Sequence, residues 1–241
     1  METLQNLAAR IVEERQLSKI VRYTYSPQVK VMDLAVQVGR ELCGNSFRID
    51  AENEFCYTNT LRWLFGHPFW ALNPATLQRT AGDHKRGLYI AGNCGTGKSV
   101  LLEILNALAG HYGIAYEFNG EQRKLCCKPQ RADELCNEFM LDGAPVASRL
   151  KIANVLCIND LGSEPQEQLY MGNRVNLMRQ VIEARGDISG IFTLISSNYP
   201  MLSTQNRPTK IKQLYGDRVE SRLQGMCNYF ELVGTDRRIT H

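Results

Sequence analysis

The stretch that decides the fold reads Gly92-Asn93-Cys94-Gly95-Thr96-Gly97-Lys98-Ser99. It has the pattern GxxxxGK[ST], and it stands between a strand-like run at residues 87–91 and a helix-like run at residues 100–109. The order strand, glycine loop, helix is the context in which this pattern binds phosphate. A glycine turn in front of an ordinary helix is the alternative, and the complete motif in this context disfavours it. We therefore predict that these eight residues bind a nucleotide.

The residue types in this loop suit a nucleotide and its metal ion. Gly92, Gly95 and Gly97 can adopt left-handed backbone angles and bring amide NH groups close to phosphate oxygens, where a Cβ would clash. A helix that starts near Lys98 points free NH groups and the positive end of its dipole at the β- and γ-phosphates, and the lysine adds a mobile charge. The Ser99 hydroxyl is a hard oxygen ligand of the kind that Mg2+ prefers. The loop therefore predicts a nucleotide held together with Mg2+.

Length and composition suit a globular protein without a membrane segment. The chain has 241 residues, of which 44% are apolar. That is enough for one large domain, or for one domain with a helical appendage. No run of about eighteen apolar residues occurs, and the N-terminal stretch METLQNLAARIVEERQ carries acids where a signal peptide would have an apolar core. We therefore expect a cytoplasmic protein.

Cysteine spacing and net charge bear on two further possibilities, a zinc site and nucleic-acid binding. The eight cysteines include no CxxC pair, which disfavours a zinc site and fits reduced thiols. The net charge of +3 is too small to indicate nucleic-acid binding by itself. Basic groups at residues 207–212 and 237–238 are compatible with phosphate contact, although solvated surfaces carry such groups more often. DNA contact is therefore a hypothesis at this stage.

Hydrophobic spacing divides the chain near residue 80. Helical spacing dominates residues 1–80, as in Leu4, Leu7, Ala8 and Ile11. This part is expected to be a helical N-terminal region that binds a partner. An aromatic cluster around residues 63–70 is expected to pack between this region and residues 81–241.

Residues 81–241 alternate between strand-like and helix-like segments. The predicted strands are GLYIAG (87–92), IAYEF (114–118), NVLCI (154–158), IFTLISS (191–197) and YFELV (229–233). Helix-like segments lie between them. Such alternation predicts an α/β fold with a parallel five-stranded sheet covered by helices on both faces. Ligands on such sheets bind at the carboxyl ends of the strands.

A second motif follows the third predicted strand. The apolar residues 155–158 lead into Asn159 and Asp160, where a nucleotide hydrolase keeps the carboxylate that holds Mg2+ and the one that orients water. An acid is usual at position 159, so Asn159 puts a neutral oxygen near the metal in place of a charge. Two assignments remain open. Asp160 polarises the water, or Asp160 serves the metal and Glu164 serves the water. Ser99, Asn159 and Asp160 are the predicted metal ligands.

A third position follows the strand at residues 191–197. Asn198 stands at its tip, beside the expected γ-phosphate, where it could hydrogen-bond phosphate or lytic water. An Asn after a strand is otherwise an ordinary turn residue. The assignment therefore depends on the other motifs.

Four segments together are similar to one known family. They are GNCGTGKS (92–99), INDLGSE (158–164), ISSNYP (195–200) and YGDRVESRLQGMCNYFELVGTDRR (215–238). They resemble the AAA+ ATPases of the DnaC-type helicase loader and IstB-type transposition-helper group over residues 85–241. The resemblance implies an ASCE-type P-loop NTPase sheet, ATP, Mg2+, and self-association that brings a neighbour's arginine to each γ-phosphate. It also implies that no helical lid follows the last strand.

By position in these motifs, Arg222 resembles the arginine finger and Asn198 resembles the first sensor residue. Arg218 is a second candidate for the finger. A planar, bidentate cation stabilises the charge that spreads over the γ-phosphoryl oxygens in the transition state. Without the resemblance, Arg218 and Arg222 would be read as the exposed face of a salt-bridged helix.

The resulting hypothesis is an AAA+ ATPase that assembles into a homo-oligomer when it binds ATP, contacts single-stranded DNA and loads a replicative helicase. A transposition helper, with a transposase as its partner, shares every motif. An adaptor that binds ATP but hydrolyses it little is a third possibility, because Asn159 replaces an expected acid. A small-molecule kinase is disfavoured because no lid arginine or acceptor pocket is recognisable.

Overall fold

The computed structural model describes residues 3–7, 20–126, 128–202 and 209–237. Its strands are β1 (Ile20–Arg22), β2 (Trp70–Leu72), β3 (Arg79–Ala81), β4 (Gly87–Gly92), β5 (Ala115–Phe118), β6 (Glu121–Lys124), β7 (Gln130–Arg131), β8 (Val155–Leu161), β9 (Gln168–Tyr170), β10 (Asn173–Val175), β11 (Phe192–Ser197) and β12 (Cys227–Leu232). Its longer helices are α1 (Val31–Cys43), α2 (Glu54–Leu64), α3 (Lys98–His111), α4 (Ala132–Asp142), α5 (Ala144–Ile152), α6 (Leu177–Arg185), α7 (Lys210–Tyr215) and α8 (Asp217–Met226).

The main sheet is mixed and mostly parallel. Its order is β3-β2-β12-β4-β11-β8-β7. The five strands from β12 to β7 run parallel to one another, while β2 and β3 extend the sheet at one edge in antiparallel orientation. The predicted α/β class with five parallel strands is therefore confirmed, and the antiparallel extension was not foreseen.

One predicted member of the parallel sheet is wrong. The segment IAYEF forms β5, which pairs with β1 and β6 in a separate antiparallel sheet. The reason is local, because Asn119 and Gly120 both have positive φ, as a two-residue hairpin turn between β5 and β6 requires. The fifth parallel position is filled instead by the two-residue strand β7, in which Gln130 lies beside Ile158.

Alternate residues of the central strands face two different helical layers. Leu88 and Ile90 of β4 belong to a core shared with α1, α2 and α3, whereas Tyr89 and Ala91 belong to a core shared with α4 to α8. This alternation follows from the two-residue period of a strand. Helices therefore cover both faces, as predicted.

The helices of residues 1–80 pack into the same core as the phosphate-loop helix. Ala35 of α1 and Leu61 of α2 are buried in one cluster with Leu101 of α3. The N-terminal region also supplies the strands β1, β2 and β3. Trp63 is buried and donates a hydrogen bond to the carbonyl of Arg86 at 2.9 Å, so it packs at the predicted junction. Partner binding by residues 1–80 stays a prediction.

The helices that the structure describes are too short or too polar to cross a membrane.

Candidate nucleotide site

The three predicted motifs meet at one edge of the main sheet. Strand β11 lies between β4 and β8, and Ser197 at its end is level with Ala91 of β4 and Leu161 of β8. Because the strands are parallel, their carboxyl ends share this edge. The phosphate loop, the Asn159 segment and Asn198 are thereby brought together.

The phosphate loop has the backbone that its sequence predicts. Gly95 has φ of 78° and Gly97 has φ of 96°, values that residues with a Cβ rarely adopt. Helix α3 begins directly after Gly97 without a side-chain cap or an acid in its first turn. Its first NH groups and the positive end of its dipole are therefore available for an anion, so these residues fit the phosphates of a nucleotide.

Lys98 is held in place by neutral oxygens. Its ammonium donates to the carbonyls of Gly92 at 2.9 Å and Asn93 at 2.8 Å, and to Oδ1 of Asn198 at 2.8 Å. The side chain is almost fully buried. Two residues a hundred positions apart in sequence thus share one contact in the site. Asn198 lies beside the lysine that is expected to hold the phosphates.

Asn159 and Asp160 are both tied to Ser196 on the neighbouring strand β11. Ser196 Oγ donates to Asn159 Oδ1 at 2.6 Å and accepts from the NH of Asp160 at 2.9 Å. Asp160 has φ of 57°, a left-handed conformation that is unusual for a residue with a side chain. Within the described residues its carboxylate accepts no hydrogen bond, so both carboxylate oxygens remain available for a ligand.

Glu164, in contrast, is buried, and its carboxylate accepts hydrogen bonds from within the protein. Only 5% of the residue is exposed, and burial raises the pKa of its carboxyl group. Its Oε2 accepts from the NH of Gly162 at 2.9 Å, and its Oε1 accepts from the hydroxyl of Tyr215. Both carboxylate oxygens therefore already have a donor inside the protein.

The two arginines lie on α8, which runs towards the opposite edge of the sheet. Helix α8 ends immediately before Cys227, and Cys227 is level with Gly87 at the start of β4. Arg222 pairs with Asp187 there, and its side chain is 45% exposed. A six-residue strand spans about 16 Å, so Arg222 is too far from its own phosphate loop to reach it. Arg218 is exposed and forms no ion pair with the residues that the structure describes.

A surface cavity of about 360 Å3 adjoins Arg222 at this opposite edge. Its lining includes Lys85, Arg185, Ser189 and Ser221. The cavity belongs to the same face as the arginine and is separate from the phosphate loop.

The C-terminal segment contacts the phosphate loop, which sequence reasoning missed. The NH of Arg237 donates to the carbonyl of Gly95 at 3.0 Å, and a Cβ at Gly95 would overlap the carboxylate of Asp236. The Arg237 guanidinium pairs with Asp50 at 2.8 Å and with Glu52 at 3.4 Å. Its hydrogen bond is the main reason that the pKa of Asp50 falls to about 2.

Arg237 was considered for phosphate contact together with Arg238, but its side chain is held by these two acids. Arg238 lies outside the described residues, as does Arg207 of the other basic group. No sequence signal linked Arg237 to Asp50, because the two residues are 187 positions apart. Ser196 and Tyr215 were missed for the same reason, since each acts through a residue far away in the chain.

Comparison with solved structures supports the fold. The chain is similar to the crystal structure of DnaI, with a TM-score of 0.50 and 18% identity over 92% of this chain and 100% of that chain. It also matches AMPPCP-bound DnaA from Aquifex aeolicus, with a TM-score of 0.45 and 16% identity over 77% of this chain and 48% of that chain. No protein-family model and no curated protein matches the sequence. The likeness to DnaI supports the α/β fold described above, a mostly parallel sheet with helices on both faces.

Proposed function

We propose that this protein is an AAA+ ATPase that hydrolyses ATP between neighbouring copies of the chain and loads a replicative helicase onto single-stranded DNA. One observation carries the proposal. The phosphate loop, Asp160 and Asn198 meet at one edge of the sheet, while Arg222 lies exposed at the other. Each chain thus offers half of a site at either edge.

At the first edge, the chain's own residues hold the phosphates. The NH groups of the loop and of the first turn of α3 bind the phosphate oxygens, and Lys98 turns its ammonium from the loop carbonyls towards them. Ser99 and Asn159 would supply oxygens for Mg2+, which when bound would neutralise charge on the phosphates. Asn198 stays within reach of the γ-phosphate through its place beside Lys98.

Asp160 is the better candidate to activate water. Its carboxylate accepts no hydrogen bond from the described residues, whereas both oxygens of Glu164 are occupied by Gly162 and Tyr215. A general base needs an oxygen that can accept the proton of the attacking water. This contrast favours the assignment in which Asp160 orients water and Glu164 does not.

Arg222 then serves a neighbour. The arginine reaches the γ-phosphate of another copy, where its planar cation stabilises the transition state. Arg218, on the same helix and also exposed, is the second candidate. Each bound ATP would thus join one copy to the arginine of the next, so ATP binding should promote assembly. Because a complete site needs two copies, turnover per chain should rise with protein concentration.

Helicase loading and DNA contact are proposed from the sequence motifs and the fold together. The motifs resemble those of helicase loaders, and the fold is similar to that of DnaI. The client would be recognised by residues outside the nucleotide site, for which residues 1–80 are the proposed candidate. We place the protein in the cytoplasm. A transposition helper would use the same site with a different client.

A nucleotide-switched adaptor is a second candidate function, and Asn159 is the observation that favours it. Its side chain gives a neutral oxygen where a carboxylate is usual, and that oxygen already accepts a hydrogen bond from Ser196. A weaker cation site would allow ATP to bind and order the assembly while turnover stays slow.

The test is ATP hydrolysis with Mg2+, with and without single-stranded DNA. The variants are Lys98→Ala, Arg222→Ala and, as a matched control, Arg149→Ala, which also removes a half-exposed arginine from an ion pair. We expect the first two variants to lose turnover and the control to keep it.

Mixing Lys98→Ala with Arg222→Ala chains should restore part of the activity, because some interfaces then combine an intact phosphate loop with an intact arginine. Failure to restore activity would contradict the role of Arg222 in a neighbour's site. Tight ATP binding without turnover by the wild type would favour the adaptor instead. A stimulated turnover with the client helicase, but not with a transposase, would support helicase loading.

A further inference from the structure

A buried contact joins the Asp160 segment to the arginine-bearing helix. Glu164 accepts hydrogen bonds from the NH of Gly162 and from the hydroxyl of Tyr215. Gly162 lies two residues after Asp160, and Tyr215 is the last residue of α7. Both Glu164 and Tyr215 are buried. The proposed ATPase reaction uses neither side chain directly, so this buried carboxylate has no part in the chemistry described above.

Helix α7 in turn is fastened to α8. Thr209, the N-cap of α7, donates through Oγ1 to Oε1 of Glu220 on α8 at 3.1 Å. Lys212 pairs with Asp217 at the start of α8 at 2.6 Å. A single residue, Gly216 with φ of 86°, separates the two helices. A displacement of Tyr215 is therefore passed directly to the helix that carries Arg218 and Arg222.

The other end of the contact is packed just as closely. A Cβ at Gly162 would overlap the ring of Tyr199, and the side chain of Leu214 on α7 also reaches this glycine. Tyr199 follows Asn198 in sequence, and its carbonyl accepts a hydrogen bond from the hydroxyl of Tyr89 at 2.9 Å. The segment at residues 160–164 thus contacts both strand β11, which ends just before Asn198, and helix α7, which leads to the arginines.

We propose that Glu164 is a positioning residue that sets the arginine-bearing helix α8 relative to the Asp160 segment, through its hydrogen bond to Tyr215. The inference rests on the proposed function, because it assumes that Arg222 acts in a neighbour's site. The contact then holds the arginine that a copy presents to the next copy, whereas the Asp160 segment of the copy's own site is held separately by Ser196 on β11. Loss of the contact displaces the arginine that the copy donates.

The experiment uses mixed assemblies to compare loss of the contact in the chain that donates the arginine with its loss in the chain that binds ATP. A donor chain carries Lys98→Ala and offers Arg222, while an acceptor chain carries Arg222→Ala and offers the phosphate loop. Tyr215→Phe, which removes only the hydroxyl, is placed in the donor or in the acceptor, and ATP turnover of the 1:1 mixture is measured. Displacement of a catalytic group by about 1 Å can cost about a hundredfold in rate. We therefore expect a loss of about tenfold or more with the substitution in the donor, and a loss at least fivefold smaller with it in the acceptor.

Tyr229→Phe is the matched control. Tyr229 is also a buried tyrosine, and its hydroxyl donates to a glutamate, Glu231, at 2.5 Å. It lies on β12 rather than on α7 or α8, so turnover should change less than twofold in either chain. Glu164→Gln in the donor should cost less turnover than Tyr215→Phe, because the amide oxygen can still accept from Tyr215 although the NH2 group then faces the NH of Gly162.

The outcomes are distinct. A greater loss from the donor than from the acceptor, with unchanged affinity of the acceptor for ATP, supports the positioning role. An equal loss from both chains, a greater loss from the acceptor, or no loss overturns it, because a contact that only stabilises the fold would not distinguish the chains. A reference mixture with no turnover would overturn the proposed function itself, whereas an active reference mixture that Tyr215→Phe leaves unchanged overturns only this inference.

Discussion

Arg185 at the end of α6 is expected to be among the costliest residues of the fold to replace. The residue is only 1% exposed, and its guanidinium joins three elements. It donates to Thr193 Oγ1 at 2.9 Å and to the carbonyls of Leu150 at 2.9 Å, Ala153 at 2.8 Å and Phe192 at 2.7 Å. The end of α5, the end of α6 and the beginning of β11 are therefore tied together by one side chain.

The magnitude follows from what Arg185→Met leaves behind. Methionine fills much of the same volume, so the cavity should contribute little, but the carbonyls lose their charged donors. A buried polar group without a partner costs about 1–3 kcal/mol, and here several neutral acceptors lose their donor at once. We expect the free energy of unfolding to fall by about 4 kcal/mol. For a chain of this size that is a decrease in Tm of roughly 8–16 °C.

Urea unfolding followed by circular dichroism is the assay. Arg174→Met is the control, because Arg174 pairs with Glu167 on the surface and its side chain is 79% exposed. Such a surface ion pair contributes about 0–1 kcal/mol. A loss for Arg185→Met below about 1 kcal/mol, with an unchanged urea dependence, would refute the argument that these carbonyls depend on the arginine.

Three further predictions concern the nucleotide site and its surroundings. Asn159→Asp adds a negative charge beside the expected cation, so the Mg2+ concentration for half-maximal turnover should fall by about tenfold or more, and an unchanged requirement would contradict that location. Gly95→Ala should weaken the binding of a fluorescent ATP analogue by about tenfold, because φ of 78° strains alanine and its Cβ would displace Asp236, whereas binding as in the wild type would argue against this contact. The pKa of Asp50 is lowered from 3.8 to about 2, so its pair with Arg237 stabilises the folded state fully above pH 4 and is lost as the pH falls towards 2. Because the pair is partly exposed, we expect about 1 kcal/mol, which Asp50→Asn should remove at pH 5 but much less at pH 2.5, as measured by urea unfolding at both pH values.

The parts of the site that lie on one continuous segment could be predicted from the sequence. The glycine positions of the phosphate loop require particular backbone angles, and the strand before it and the helix after it fix its direction, so a local pattern is enough. The meeting of Asn159 and Asn198 with this loop could also be predicted, because parallel strands end at the same edge. The role of each residue is a separate question, and it stays a prediction.

Strand β5 was predicted to join the parallel sheet, but it lies in a separate antiparallel sheet. Its sequence is apolar enough for the central sheet, but Asn119 and Gly120 turn the chain back at once, and β1 from the N-terminal region pairs with its free edge. A strand in the middle of a parallel sheet needs a crossover before its neighbour, not a two-residue turn. Asn119-Gly120 is a sequence signal for a hairpin turn. No sequence pattern indicates that residues 20–22 pair with β5.

Two contacts around the candidate site join residues that are far apart in the sequence, so no local pattern predicts them. Tyr215 meets Glu164 from 51 positions away, and Arg237 meets Asp50 from 187 positions away. In both cases neither the acid nor its partner belongs to a recognisable sequence motif, and the two residues meet only in the folded chain. Sequence motifs can therefore predict a ligand, because ligand chemistry demands fixed residue types at fixed spacing. They do not identify the coupling between the two edges of the sheet, since any buried donor and acceptor at the right place would serve. Under the proposed function, the division between Arg222 at one edge and the phosphate loop at the other would make such a coupling necessary, because a chain that acted only with its neighbour would need a fixed relation between its two edges.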